Sequence, residues 1–169
     1  MNKIHNLWPT PIYQSSIPVN KKDLEYVKNL DYVRMNSNHG YITKNKYVLS
    51  DINLLSLKNN IENHLKIYVY ETLNVKKNIQ FYFLNSWVNN HKPKDYSEIH
   101  NHSGSLISGV YYFNIEPKIG NISFHQNLNY SNVFHSNISF PYEKFDNINA
   151  RFYSLGLSEG TILFFPSHI

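Results

Sequence analysis

Two histidines one residue apart, His100 and His102 in "EIHNHSGS", are the side chains of this chain best spaced to hold a metal ion. In an extended segment alternate residues point to one face, about 6.6 Å apart in Cα. Two imidazoles placed that way can meet one ion at about 2.0–2.1 Å each. Spacing alone leaves a second reading open, two surface imidazoles beside a Ser/Gly-rich turn. Glu98 shares their face but stands two alternations from His102, about 13 Å in Cα. It suits replacing His102 as a ligand rather than joining it, and the pair His100/His102 is preferred. Asp95 and His91 belong to the preceding turn. The chain has no cysteine, so thiolate sites and disulfides are excluded, and a metal must take His, Asp, Glu or backbone oxygen.

The other histidines read as structural. His64 falls within a helical pattern, at a surface or boundary position. His125 in "ISFHQN" reads as a hydrogen-bonded wall residue of a strand, and His5, His39 and His135 as solvated residues of loops or termini. Trp87 in "SWVN" reads as core. Asn89, two residues on, shares its face and points toward the same pocket as the histidines.

The elements that must carry these residues change character along the chain. "LWPTPIYQSSIP" holds three prolines, which forbid a helix and suit a docked extended strand. "NKKDLEYVKNL" (20–30) predicts a short helix capped by Asn20, with Leu24, Val27 and Leu30 on one face. "SDINLLSLKNNIENHLKIYVYETL" (50–73) predicts the stronger helix. There Leu54, Leu57, Ile61, Leu65 and Tyr68 recur at helical spacing behind Ser50 or Asp51 as cap. From Asn78 the period becomes two: "NIQFYFLNSWVNNH", "SLISGVYYFNI", "GNISFHQN" and "GTILFFPS" read as strands, with another near Phe152. The expectation is a mainly β fold, a β-sandwich or jelly roll with N-terminal helices packed on one sheet. It is one domain, with residues 1–77 supplying the first strand and helices and 78–169 the β core.

Composition narrows the function. The 169 residues carry a net charge of +4, but the basic residues are scattered and only two are arginines, so nucleic-acid binding is not expected. No window approaches the roughly 20 apolar residues of a membrane span, and the N-terminus lacks a signal-peptide stretch. A cytoplasmic protein is expected.

The segments "LWPTPIY", "SWVN", "HNHSGSLISGVYYF" and "GTILFFPS" occur in order over almost the whole chain. Together they resemble the 2-oxoglutarate/Fe(II)-dependent oxygenases, in particular a small family common in marine bacteria and their phages. The resemblance implies a double-stranded β-helix in which a strand-end histidine motif and a distal histidine hold Fe(II), the usual set being two histidines and one carboxylate. It implies 2-oxoglutarate as co-substrate and a hydroxylase-type reaction on a small-molecule or peptidyl substrate. By position His100 matches the first ligand and His102 takes the place of the usual Asp or Glu. Tyr112 matches the inward tyrosine that helps hold 2-oxoglutarate, and Ser108 and Val110 share its face by alternation.

Two departures accompany the resemblance. An imidazole at position 102 leaves more positive charge on the metal than a carboxylate would. The distal histidine and the arginine that pairs with 2-oxoglutarate should follow "FPS" at distances the sequence does not reach. His168 comes too soon and its parity turns it to the wrong face, so it is a weak candidate third ligand. Arg151 does not match the arginine motif. The expectation is a C-terminally truncated sequence, missing its last strand, with the third ligand and the arginine beyond Ile169. An open edge would suit a homodimer. The alternative is a non-enzymatic jelly-roll module that binds a partner. A cupin-type metalloenzyme is weaker, because no carboxylate follows the pair.

Overall fold

The computed structural model describes residues 2–5, 9–36, 39–115, 121–125, 141–146 and 150–169. The proline-rich N-terminal stretch docks as a strand, β1 (Tyr13–Ser16). Helix α1 (Lys21–Lys28) starts where the Asn20 side chain accepts a hydrogen bond from the Lys22 amide at 2.9 Å, satisfying a donor that the first turn leaves without a partner. Two short strands follow, β2 (Tyr32–Arg34) and β3 (Tyr41–Thr43).

One continuous helical run then extends from Ile52 to Thr72. It opens as a 3-10 turn, proceeds as α2 (Leu55–Lys66), and widens into a π-helical turn over Ile67–Thr72. Asp51 caps it by accepting from the Asn53 amide at 2.9 Å. The predicted stripe is the buried one: Leu54, Leu57, Ile61 and Tyr68 are all buried, and Leu65 packs against them.

The remaining strands are β4 (Asn89–Asn90), β5 (Ile107–Tyr111), β6 (Ile122–His125), β7 (Phe152–Leu155) and β8 (Thr161–Pro166). They form three small antiparallel sheets, ordered β1-β8-β5, β2-β3-β4 and β6-β7. Strand β8 is the centre of the first sheet. It pairs Phe164 with Tyr13 on one side and with Gly109 on the other.

That central sheet has two apolar faces, set by strict alternation along β8. Ile162 and Phe164 join Tyr13, Ile107 and Tyr111 against the helices, where Val27, Leu57, Ile61 and Tyr68 pack. Leu163 and Phe165 face the other way, against Phe124 of β6, together with Val110 and Tyr112. Alternation along β5 predicted that Ser108, Val110 and Tyr112 share one face, and Tyr111 lies on the other.

The architecture is therefore mixed α/β rather than mainly β, and no closed barrel forms among the described residues. The segment "NIQFYFLNSWVNNH", expected as a strand or two, pairs among the described residues at Asn89–Asn90 and through a bridge at Ser86. Residues 78–85 have no partner strand among the described residues, and Tyr82 and Leu84 are exposed. Period-two hydrophobicity signals an extended backbone but does not supply a neighbour to bond it. No described helix is long and apolar enough to cross a membrane.

Candidate metal centre

The histidine motif is held by the end of β8. The His102 amide donates to the Ser167 carbonyl at 2.9 Å, and the Ser167 amide donates back to the Leu106 carbonyl at 3.1 Å. The turn between them closes with Ser105 N–H on the His102 carbonyl at 3.3 Å, through Gly104 at φ +88°. A left-handed residue is needed there, and glycine adopts it without a Cβ penalty. The Ser108 and Ser167 hydroxyls share a 2.8 Å hydrogen bond beside this clasp.

His100 and His102 lie outside any strand, so the alternation that predicted their common direction is not what joins them. Their rings nonetheless meet edge to face, with centroids 4.9 Å apart and planes at 81°. The His100 Nδ1 lies 2.7 Å from the Glu98 carbonyl oxygen. A carbonyl only accepts, so Nδ1 carries a proton and Nε2 is the ring nitrogen left without this anchor. An anchored Nδ1–H is the usual outer support of a metal-bound histidine. Burial, and then the neighbouring His100 charge, hold the His102 imidazole below the usual histidine value. Both effects favour the neutral ring that a metal requires.

Two imidazoles side by side are nitrogen donors of the kind that suits Fe(II). Among the described residues, however, no group of three His, Asp or Glu side chains comes together. His168 is exposed on the turn after β8 and does not complete the set. The Glu98 carboxylate turns instead toward His39, 3.2 Å from its Nε2. Asp95 accepts from the Lys92 amide at 2.7 Å within the preceding turn.

Trp87 is the wall of the site that sequence reasoning placed in the core. It is half-buried, with its ring 5.8 Å from that of His102. Its neighbour Val88 bonds Thr43 of β3 through both backbone groups, so alternation turns Trp87 away from the helices and onto the histidine. The signal was its nearness to the "HNH" motif in a strand of opposite parity to Val88. His39 also departs from its solvated reading. It is tucked edge-on against Tyr96, with Nε2 buried. His125 is exposed and stacks on Phe152, and His64 accepts or donates a 2.7 Å hydrogen bond with the Tyr13 hydroxyl. His135 lies outside the described residues.

The residues expected around a co-substrate are distributed along β5 and β4. Ser108, Val110 and Tyr112 do share a face, and Ser108 is the one beside the clasp. Tyr112 stands four residues further along, about 13 Å in an extended strand. Its backbone continues the ladder to Thr161 and Gly160, and burial pushes its hydroxyl up to about 12. Asn89 is exposed on β4, opposite Ile42, in the neighbouring sheet. Of the two arginines, Arg34 lies over the Tyr41 ring at 5.6 Å, and Arg151 is exposed ahead of β7.

A family model described as "Putative 2OG-Fe(II) oxygenase" matches residues 85–169, half of the chain. The chain belongs to this 2OG-Fe(II) oxygenase family. The matched region begins two residues before Trp87 and takes in the histidine pair, β5, β6, β7 and β8. Family membership implies Fe(II) and 2-oxoglutarate as the cofactor and co-substrate. No curated protein matches the chain.

Proposed function

We propose that the protein is an Fe(II)/2-oxoglutarate-dependent dioxygenase of the hydroxylase type, acting on a small-molecule or peptidyl substrate. The observation that carries this reading is the His100/His102 pair, ring to ring with one Nδ1 anchored, within a chain of the oxygenase family. The central sheet faced by β6-β7 is then read as part of a double-stranded β-helix.

His100, through Nε2, and His102 would hold the metal. Bound there, Fe(II) supplies oxygen activation coupled to decarboxylation of 2-oxoglutarate. The chain's own residues do the rest by position. The Glu98 carbonyl fixes the His100 tautomer, and Trp87 covers the outer side of His102 against water. Ser108 and Ser167 offer hydroxyls next to the pair, and Asn89 and Tyr112 are assigned to the co-substrate side. With two neutral imidazoles the site keeps the full charge of the ion, which favours dianionic 2-oxoglutarate electrostatically.

The test is Fe(II) binding by anaerobic calorimetry, followed by 2-oxoglutarate consumption under air. Wild type should bind Fe(II) and release succinate, and His100→Ala and His102→Ala should lose both. A folded wild type that neither binds Fe(II) nor consumes 2-oxoglutarate would instead support the non-enzymatic binding module.

A further inference from the structure

A cleft of about 280 Å³, lined by no residue of the histidine motif, lies between β1, α1 and α2. Its polar lining is Ser16, Asn20, Asp23, Ser56, Asn60 and His64. Asp23 sits in the first turn of α1 and is 7% exposed. Among the described residues its carboxylate has neither a hydrogen-bond nor an ion-pair partner. Burial strips part of the hydration of this carboxylate, and its oxygens keep their solvent access where the residue lines the cleft. Burial accordingly raises its proton affinity. The neighbouring Tyr111 hydroxyl, which donates to the Ile17 carbonyl at 3.2 Å, is pushed up to about 12 by burial and then by the charges of Asp23 and Glu159.

The lining selects among ligands. It contains no lysine or arginine, so an anion would face Asp23 without compensation. A neutral polyol would leave the carboxylate charge unmatched. A divalent metal needs several oxygen donors with charge, and no group of three acidic or histidine side chains exists among the described residues. An ammonium carries one positive charge and up to three N–H donors, which suits one carboxylate ringed by hydroxyls and amides. The volume lies just below the range usual for drug-sized ligands, so the guest is small. We propose that this cleft binds a small organic ammonium ion, with its N–H donors on the Asp23 carboxylate.

The test uses thermal melting of the whole chain with ethanolamine and 1,4-diaminobutane as probes, at an ionic strength fixed with tetramethylammonium chloride. At ten times its dissociation constant, a one-site ligand should raise the Tm of a protein this size by about 3–5 °C. The rise should saturate, be absent with 1,2-ethanediol, persist in His100→Ala, and vanish in Asp23→Asn. Asn60→Leu, which fills the cleft from α2 and leaves Asp23 in place, should also abolish it and keeps the test open should Asp23→Asn fold poorly. No saturable rise with either amine, an equal rise with the diol, or a rise that survives both variants overturns the proposal. Persistence in His100→Ala separates this outcome from the fate of the metal centre.

Discussion

Replacing Gly109 by alanine should destabilise the protein through one aromatic ring. A Cβ built at Gly109 would lie 2.6 Å from Phe164 Cε1 and 2.8 Å from Cδ1, with the Leu163 carbonyl oxygen at 3.3 Å. Phe164 cannot swing aside cheaply. It is 3% exposed, stacked on Tyr68 with centroids 6.2 Å apart, and held by Tyr13 at 6.1 Å. Forcing extra volume into such a site costs about 1–3 kcal/mol, and the reduced freedom of the unfolded chain returns about 0.4–1 kcal/mol. The net loss is about 1–2 kcal/mol, or a Tm lower by about 2–8 °C for a protein of this size. Urea denaturation followed by circular dichroism gives the number. A second variant identifies the cause: Phe164→Leu removes the ring edge, so Gly109→Ala should cost little in that background. The difference between the two backgrounds should be about 1 kcal/mol. Equal costs in the two backgrounds, or a Gly109→Ala protein as stable as wild type, would refute the steric account.

Acidification should weaken the fold through His102, whose folded value lies below that of the unfolded chain. The unfolded state therefore takes up the proton first, and stability falls as pH drops from about 6.5 toward the lower folded value. Urea midpoints between pH 7.5 and 5 should show this slope, and His102→Gln should flatten it; an unchanged slope assigns the effect elsewhere. Ser167→Ala removes one half of the Ser108–Ser167 bond and should cost about 1 kcal/mol, with the double alanine variant costing less than the two singles added. Strict additivity in that cycle would mean the hydroxyls do not interact. Tyr68→Phe keeps the ring but loses the 3.0 Å bond to the Pro11 carbonyl, a loss of about 1 kcal/mol that should also speed hydrogen exchange in β1. Unaltered exchange there would show that β1 is held by its ladder to β8 alone.

The parts of the fold that sequence revealed are those in which one segment carries its own instruction. Asn20 and Asp51 stand where caps belong, and the stripe from Leu54 to Tyr68 declares both a helix and its buried face. "GTILFFPS" reads as a strand, and it is apolar on both faces because β8 is sandwiched between helices and β6. What sequence left unread depends on partners distant in the chain. Residues 78–85 have the same alternation as a paired strand, yet they form no ladder among the described residues. The short strands β2 and β3 are three residues each, too brief for a period to register, and they exist because they pair with each other and with β4. The histidine pair was legible as two residues, but the reason they meet was not. Their approach follows from the Glu98 carbonyl and the clasp to Ser167, which no local spacing encodes.

The position of that pair explains why it draws on so much of the chain. The His102 backbone is tied to the central sheet by its bond to Ser167, just past the end of β8. The Trp87 ring that covers it belongs to the second sheet, through Val88 and Thr43. The His100–His102 pair therefore sits at the junction of two sheets that share no strand among the described residues. Tightening that junction should stabilise their packing, and disturbing either sheet should loosen the ring geometry at the histidines. Phe164 is three residues upstream of Ser167 on the strand that sets the clasp. The aromatic packing that fixes β8 on its helical face thus also fixes the register of the end that clasps His102, so this core and the candidate site are coupled through one strand.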